Sequence, residues 1–143
     1  MTIEQKLIDI FTKNNIEYHD FDRKSGDRSF GGKSILFKDK TDFRIFTIRA
    51  DLEVDNKKVR KILGSKKLRF ATHEELQELC GVVSGALPPI IRDLYPYDHF
   101  LDKSLLDNEW IAFNLGVLDK PVKIKMKDYL KLVDPTICEF AKE

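Results

Sequence analysis

The chain has 143 residues, 42% of them hydrophobic and 34% charged, with a formal net charge of +1. That is the length of one ordinary domain, able to bury roughly two-thirds of the surface its unfolded form exposes and to stand without disulfides. No apolar run approaches the ~20 residues that cross a bilayer, and the N-terminal Met-Thr-Ile-Glu-Gln-Lys-Leu lacks the basic start and apolar core of a signal peptide, so a soluble cytoplasmic protein is expected.

Thr2 and Gln5 make a T-x-x-Q capping box, and Ile3, Leu7, Ile10 and Phe11 follow at helical spacing. The chain is therefore predicted to open with an amphipathic helix ending near Asn14-Asn15. Residues 16–21 read as a short strand, and the polar, glycine-rich residues 22–32 as the longest loop, a kind of segment on which function often sits. Strands follow over residues 33–38 and 44–50, joined by the polar connection Asp39-Lys-Thr-Asp42. Asp55 caps a short helix that Gly64 ends; residues 67–71 make another strand. Thr72-His-Glu-Glu75 is a second capping box, for a helix running to Cys80 and stopped by Gly81. Strands are predicted over 97–101, 109–114 and 122–126, then helical turns from Asp128 interrupted at Asp134-Pro135. Strands separated partly by hairpins and partly by helices argue for an α/β chain of the α+β type. The expected architecture is a mixed, curved β-sheet of about six to seven strands with helices packed around it. Residues 1–143 are read as a single domain.

Cys80 and Cys138 lie far apart and outside any C-x-x-C pair, so free buried thiols are expected. His19, His73 and His99 show no ligand spacing, and neither metal nor cofactor is expected. Gly31-Gly32-Lys33-Ser34 is not a nucleotide-binding P-loop. That motif requires a glycine where Asp27 stands, and a helix where the sequence turns strand-like.

Three elements carry chemistry. Lys33, at the start of the apolar run Ser34-Ile-Leu-Phe37, places a cation on a flexible stem between a glycine-rich loop and a strand. The turn Gly81-Val-Val-Ser-Gly85-Ala-Leu-Pro-Pro89 supplies aimed backbone N–H groups, with glycine permitting the turn and the prolines stiffening its exit. Between residues 57 and 69 stand Lys57, Lys58, Arg60, Lys61, Lys66, Lys67 and Arg69 with no acidic residue, a local positive field suited to a phosphate backbone. A solvated helix face is the other reading of that run. Together the three suggest a hydrolytic or binding pocket for a nucleic-acid-linked substrate.

The order of these pieces resembles the YbaK and prolyl-tRNA-synthetase-associated domain family, small proteins that hydrolyse mischarged aminoacyl-tRNA. The resemblance runs from about Lys33 to the C-terminus. It passes through Lys33-Ser-Ile-Leu-Phe, Ala50-Asp51-Leu-Glu-Val-Asp55, Lys57-Lys-Val-Arg-Lys-Ile-Leu-Gly64, Arg69-Phe-Ala-Thr-His-Glu-Glu-Leu76, Gly85-Ala-Leu-Pro-Pro89 and Phe113-Asn-Leu-Gly116. It implies the mixed-sheet fold above and a trans-acting deacylase for a mischarged tRNA, tRNA-Pro or a related one. The implied partners are the aminoacyl-tRNA acceptor end and, as a further candidate, an aminoacyl-tRNA synthetase, with no DNA and no membrane.

On the same basis Lys33 matches the lysine the family carries on this strand and needs for activity. Its charge suits either the oxyanion of ester hydrolysis or the phosphate and ribose of the terminal adenosine. Gly85 is placed with it as catalytic, and Ser84, Ala86, Leu87, Pro89 and Asn114 as substrate-binding. Lys57, Lys58, Lys61, Lys66 and Lys67 are placed as RNA-binding. Ser84 stands where relatives often have proline, and Ile90-Ile91 where Phe-Gly often follows. Asn114 stands where some relatives have a histidine; it can hydrogen-bond an aminoacyl group but cannot titrate, or it is a polar strand end. These departures keep a second expectation open, a non-catalytic tRNA-binding or regulatory module of the same fold. A small-molecule binding protein with no RNA partner is the third.

Overall fold

The computed structural model describes residues 2–22, 28–89 and 94–143. Helix α1 (Ile3–Lys13) begins on the expected capping box: Thr2 Oγ1 accepts the Gln5 N–H at 3.1 Å, and the Gln5 side chain accepts the Thr2 N–H at 2.9 Å. Strand β1 is only His19–Asp20, shorter than the segment expected. Strands β2 (Gly32–Lys38) and β3 (Phe43–Arg49) form the hairpin, Lys38 opposite Phe43 and Gly32 opposite Arg49. The Asp39 carboxylate closes its turn by accepting the N–H groups of Thr41 and Asp42.

Helix α2 (Asn56–Leu63) is capped by Asp55, which accepts the Lys57 N–H, and ends on Gly64 in the left-handed conformation. Strand β4 is Arg69–Phe70 and helix α3 is His73–Cys80, with Thr72 and Glu75 forming the second capping box. The last elements are β5 (Asp98–Asp102), β6 (Trp110–Asn114), β7 (Pro121–Lys125), α4 (Met126–Val133) and β8 (Thr136–Cys138). Helix α4 starts before Asp128 and stops at Asp134, as expected of the Asp-Pro pair. Strand β8 was not foreseen: three residues carry no periodicity, and their pairing with β5 is a tertiary event.

The strands form two sheets, a mixed one in the order β4-β2-β3-β5-β8 and an antiparallel one in the order β1-β7-β6. The single sheet of six to seven strands expected from the sequence is thus eight strands in two sheets among the described residues. The sheets meet where Gly31 bridges Ala112. A Cβ on Gly32 would lie 2.8 Å from Ile111 Cδ1, so the glycine is what lets β2 begin against β6.

Helices cover both sheets, as expected of the fold class. Val59 of α2 packs with Phe37, Phe46, Ile48 and Phe140, while Leu7, Phe11, Tyr129 and Val133 of α1 and α4 pack with Ile111, Phe113, Val122 and Ile124. Cys80 is buried and Cys138 half-buried, both free. Burial pushes each thiol up to about 11, which keeps them protonated and weakly nucleophilic at neutral pH.

Candidate functional site

The seam between the sheets opens into a cavity of about 380 Å³. Gly31, Gly32, Lys33 and Ser34 form one wall, Ala112, Phe113 and Asn114 of β6 face them, and Gly85 and Leu87 enter from the loop after α3. Phe21, Ala50 and Pro121 complete it. The space is that of a small-ligand pocket, mostly apolar with a few placed polar groups. Among the described residues that line it, Lys33 is the ionisable one.

Strand alternation separates Lys33 from Ser34. Ile35 and Phe37 pack on the α2 side and Leu36 on the other, with Cys80 and Leu87. The pleat therefore assigns Lys33 to the α2 face and Ser34 to the opposite one. Lys33 consequently borders two spaces, the cavity and an open groove of about 930 Å³ beside α2.

Behind Ser34 runs a buried polar chain. Ser34 Oγ lies 2.7 Å from Thr47 Oγ1, and Thr47 Oγ1 lies 2.7 Å from His99 Nε2. Thr47 is wholly buried and His99 is buried with it. Tyr129 stands 3.4 Å from the same imidazole nitrogen and donates its hydroxyl to the Pro89 carbonyl at 3.2 Å. Burial pushes the Tyr129 phenol well above its ordinary range, so it stays a neutral donor. The chain thus joins the cavity wall to the far end of the Gly85–Pro89 loop.

Within that loop Gly85 has φ +88°, a left-handed conformation suited to glycine. The Asn114 side-chain amide faces the Gly85 carbonyl at 3.4 Å, a long hydrogen bond that ties β6 to the loop. The Ala86 N–H donates to the Val83 carbonyl at 3.0 Å, which removes it from the donors available to a ligand. Lys33, Gly85, Leu87 and Asn114 therefore come together on the cavity. Ser84 is exposed beside it, Ala86 is packed in the core, and Pro89 holds the loop through Tyr129. Ile90 and Ile91 lie outside the described residues, as do Arg23 and Lys24.

The basic run divides. Lys57, Lys58 and Arg60 line the groove with Lys33 and Phe70; Lys61, Lys66 and Lys67 are exposed but do not line it. Lys58 donates to the Ala141 carbonyl at 3.0 Å and pairs with Glu143 at 3.7 Å. Arg69 forks onto Glu75 at 2.7 and 3.0 Å. That hydrogen-bonded pairing, helped by the Thr72 N–H, holds the Glu75 carboxyl down at about 2.

Sequence reasoning did not single out Phe21, Ala50, Ala112 or Pro121, ordinary apolar residues from four separate segments that carry no local signal. Nor did it single out Thr47 and His99. One sign was available for Thr47, a hydroxyl in the middle of the apolar strand Ile45-Phe46-Thr47-Ile48, since a buried polar group demands a partner.

The family model of the aminoacyl-tRNA editing domain matches residues 25–132, which hold every cavity residue named above except Phe21. The chain belongs to the aminoacyl-tRNA editing domain family. This is the relationship that the ordered motifs from Lys33 to Gly116 had indicated. The editing domain is 34% identical, over 95 residues, to a protein of Escherichia coli (strain K12) named multifunctional Ser/Thr-tRNA deacylase ProXp-y; the match covers 65% of this chain and 56% of that one. The chain thus spans little more than half the length of that relative. It is also 36% identical over 58 residues to a proline–tRNA ligase of Bacillus mycoides (strain KBAB4), covering 41% of this chain and 10% of the ligase. A crystal structure described as a candidate trans-editing enzyme for prolyl tRNA synthetase superposes with a TM-score of 0.85, covering 100% of this chain and 99% of that one. At 18% identity that likeness is one of fold.

Proposed function

We propose that the editing domain, residues 1–143 acting as one unit, is a trans-acting aminoacyl-tRNA deacylase. It hydrolyses the ester between a wrong amino acid and the terminal ribose of a tRNA. The observation that carries this reading is the position of Lys33 where the small cavity between the sheets meets a cationic groove. An ester substrate of this class has the same two parts, a small aminoacyl group and a polyanionic chain, joined at the ribose.

The chemistry follows from what lines the cavity. Since Lys33 is the ionisable group among its described residues, the attacking water is positioned by the cavity and by polar groups of the substrate itself. The negative charge that develops on the carbonyl oxygen is met by the Lys33 ammonium; the acyl C–O bond breaks and the ribose oxygen leaves as a hydroxyl, taking up a proton released by the attacking water. Ser34 and Asn114 supply hydrogen-bonding groups to a small polar side chain. Together with the name of the Escherichia coli relative, this favours seryl or threonyl groups on tRNA-Pro or a related tRNA. Such a second site is needed because a synthetase rejects a near-isosteric amino acid by only ~10–200-fold. The acceptor end of the tRNA is the substrate partner, with a synthetase as a second partner and the cytoplasm as the compartment. No helix among the described residues is long and apolar enough to cross a membrane.

A deacylation screen across mischarged tRNAs tests this. Wild type is expected to hydrolyse tRNAs carrying small aminoacyl groups, and Lys33→Ala protein to lose that activity. Salt-dependent tRNA binding without hydrolysis of any substrate would replace the enzyme by a non-catalytic tRNA-binding module. Absence of RNA binding would leave a small-molecule binding protein.

A further inference from the structure

We infer that Phe70 is a stacking platform for a nucleobase of the single-stranded 3′ end of the substrate RNA, a role that rests on reading the cavity as the aminoacyl site. Phe70 lies on the edge strand β4, is 56% exposed, and lines the groove that shares Lys33 with the cavity. Its ring stacks on Phe37 with centroids 5.0 Å apart and planes at 25°. Phe37 is wholly buried and meets Phe46 edge-on at 5.6 Å and 88°. One side of Phe70 is therefore fixed to the core while more than half of the residue stays open. Its neighbour Arg69 is held by the fork onto Glu75, which pins β4 to α3. A ring so anchored loses little freedom when a partner covers it.

Charge identifies the occupant. The acidic residues of the groove are already engaged: Glu53 pairs with Lys142 at 3.3 Å, Glu143 with Lys58 at 3.7 Å, and Asp55 caps α2. Among the described residues no ion pair engages Lys33, Lys57 or Arg60, and with five cations against three carboxylates the groove carries a surplus of positive charge. An open aromatic among unpaired cations fits a single-stranded nucleic acid, whose bases stack and whose phosphates follow the cations. Because Lys33 also borders the cavity, a strand leaving the terminal ribose enters this groove directly.

The test uses the full chain and a fluorescently labelled single-stranded RNA ending in CCA, read by anisotropy. Phe70→Ala and Phe70→Leu are expected to weaken binding about 5- to 150-fold and Phe70→Trp to retain it, the span associated with stacking of one base. The salt slope is expected to match wild type, since stacking releases no counterions. An abasic position at the stacked nucleotide is expected to erase the difference between wild type and Phe70→Ala. Phe70→Leu keeps an apolar cover on Phe37, so it remains informative where thermal melting shows Phe70→Ala to be loosened. The inference is overturned if wild type does not bind the RNA, or if Phe70→Leu binds as wild type does. It is overturned also if the loss persists undiminished with an abasic site at every position, as it would if Phe70 instead docked a protein. Failure of the stacking would leave wild-type deacylation intact, whereas failure of the cavity reading would leave Phe70-dependent RNA binding without hydrolysis.

Discussion

Ser34 and Thr47 face each other across β2 and β3 with their hydroxyl oxygens 2.7 Å apart, and Thr47 meets His99 at the same distance behind them. A hydroxyl has one proton to give, so Thr47 relays the orientation of one neighbour to the other. Thr47→Val removes the relay while nearly keeping the shape, stripping a partner from two groups at once. Stability is expected to fall by ~1–3 kcal/mol in denaturant titration. Hydrolysis of seryl- or threonyl-tRNA should fall more than that of alanyl-tRNA, because Ser34 loses its fixed direction. Equal losses on all three substrates would confine Thr47 to a structural role.

Lys33→Ala is expected to lower kcat/KM for deacylation ~100-fold or more in a protein that melts as wild type does, the usual loss for one oxyanion-stabilising contact. The split reports its role. A fall in kcat points to the oxyanion, and a rise in KM alone to the phosphate and ribose. Near-normal turnover by the folded variant would remove Lys33 from the mechanism.

Gly85 sits at φ +88°, and the nearest atom to an added Cβ would be Leu118 Cδ2 at 3.7 Å, an ordinary contact. Strain at this position therefore comes from the backbone rather than from a clash. Gly85→Ala is expected to cost ~1 kcal/mol of stability. Gly85→Val, with a branched side chain, should shift the carbonyl facing Asn114 and reduce acceptance even of small aminoacyl groups. Unchanged kinetics in both variants would demote the loop to a connector.

The groove divides the basic run unequally, which steady-state kinetics can detect. Replacing Lys57 and Arg60 together by glutamine is expected to flatten the log–log salt dependence of RNA binding by ~1.4 units, roughly 0.7 for each lost single-strand phosphate contact. KM should rise while hydrolysis at saturation holds, since uniform binding does not speed the chemical step. Replacing Lys66 and Lys67, beyond the end of α2, should move the slope less. An equal slope change from both pairs would return the interface to the whole run.

Local chemistry was legible in the chain because its partners stand two to four residues apart. Thr2 with Gln5, Thr72 with Glu75, Asp55 with Lys57 and the stops at Gly64 and Gly81 all close within a turn, and each was readable before any fold was known. The ordered motifs also marked Lys33, Gly85, Leu87 and Asn114, which the fold gathers on one cavity. Its remaining walls were not readable, since Phe21, Ala50, Ala112 and Pro121 become neighbours only where Gly31 bridges Ala112 and the two sheets meet. Nor could a run of charges in sequence show which of them share a groove. Along helix α2, Lys57, Lys58 and Arg60 line the groove while Lys61, about one turn past Lys57, falls outside it, and Lys58 is drawn off by Ala141 and Glu143 at the opposite end of the chain. Caps and turns are settled by neighbours in sequence, while a pocket and its field are sums over contacts that exist only once distant strands have paired.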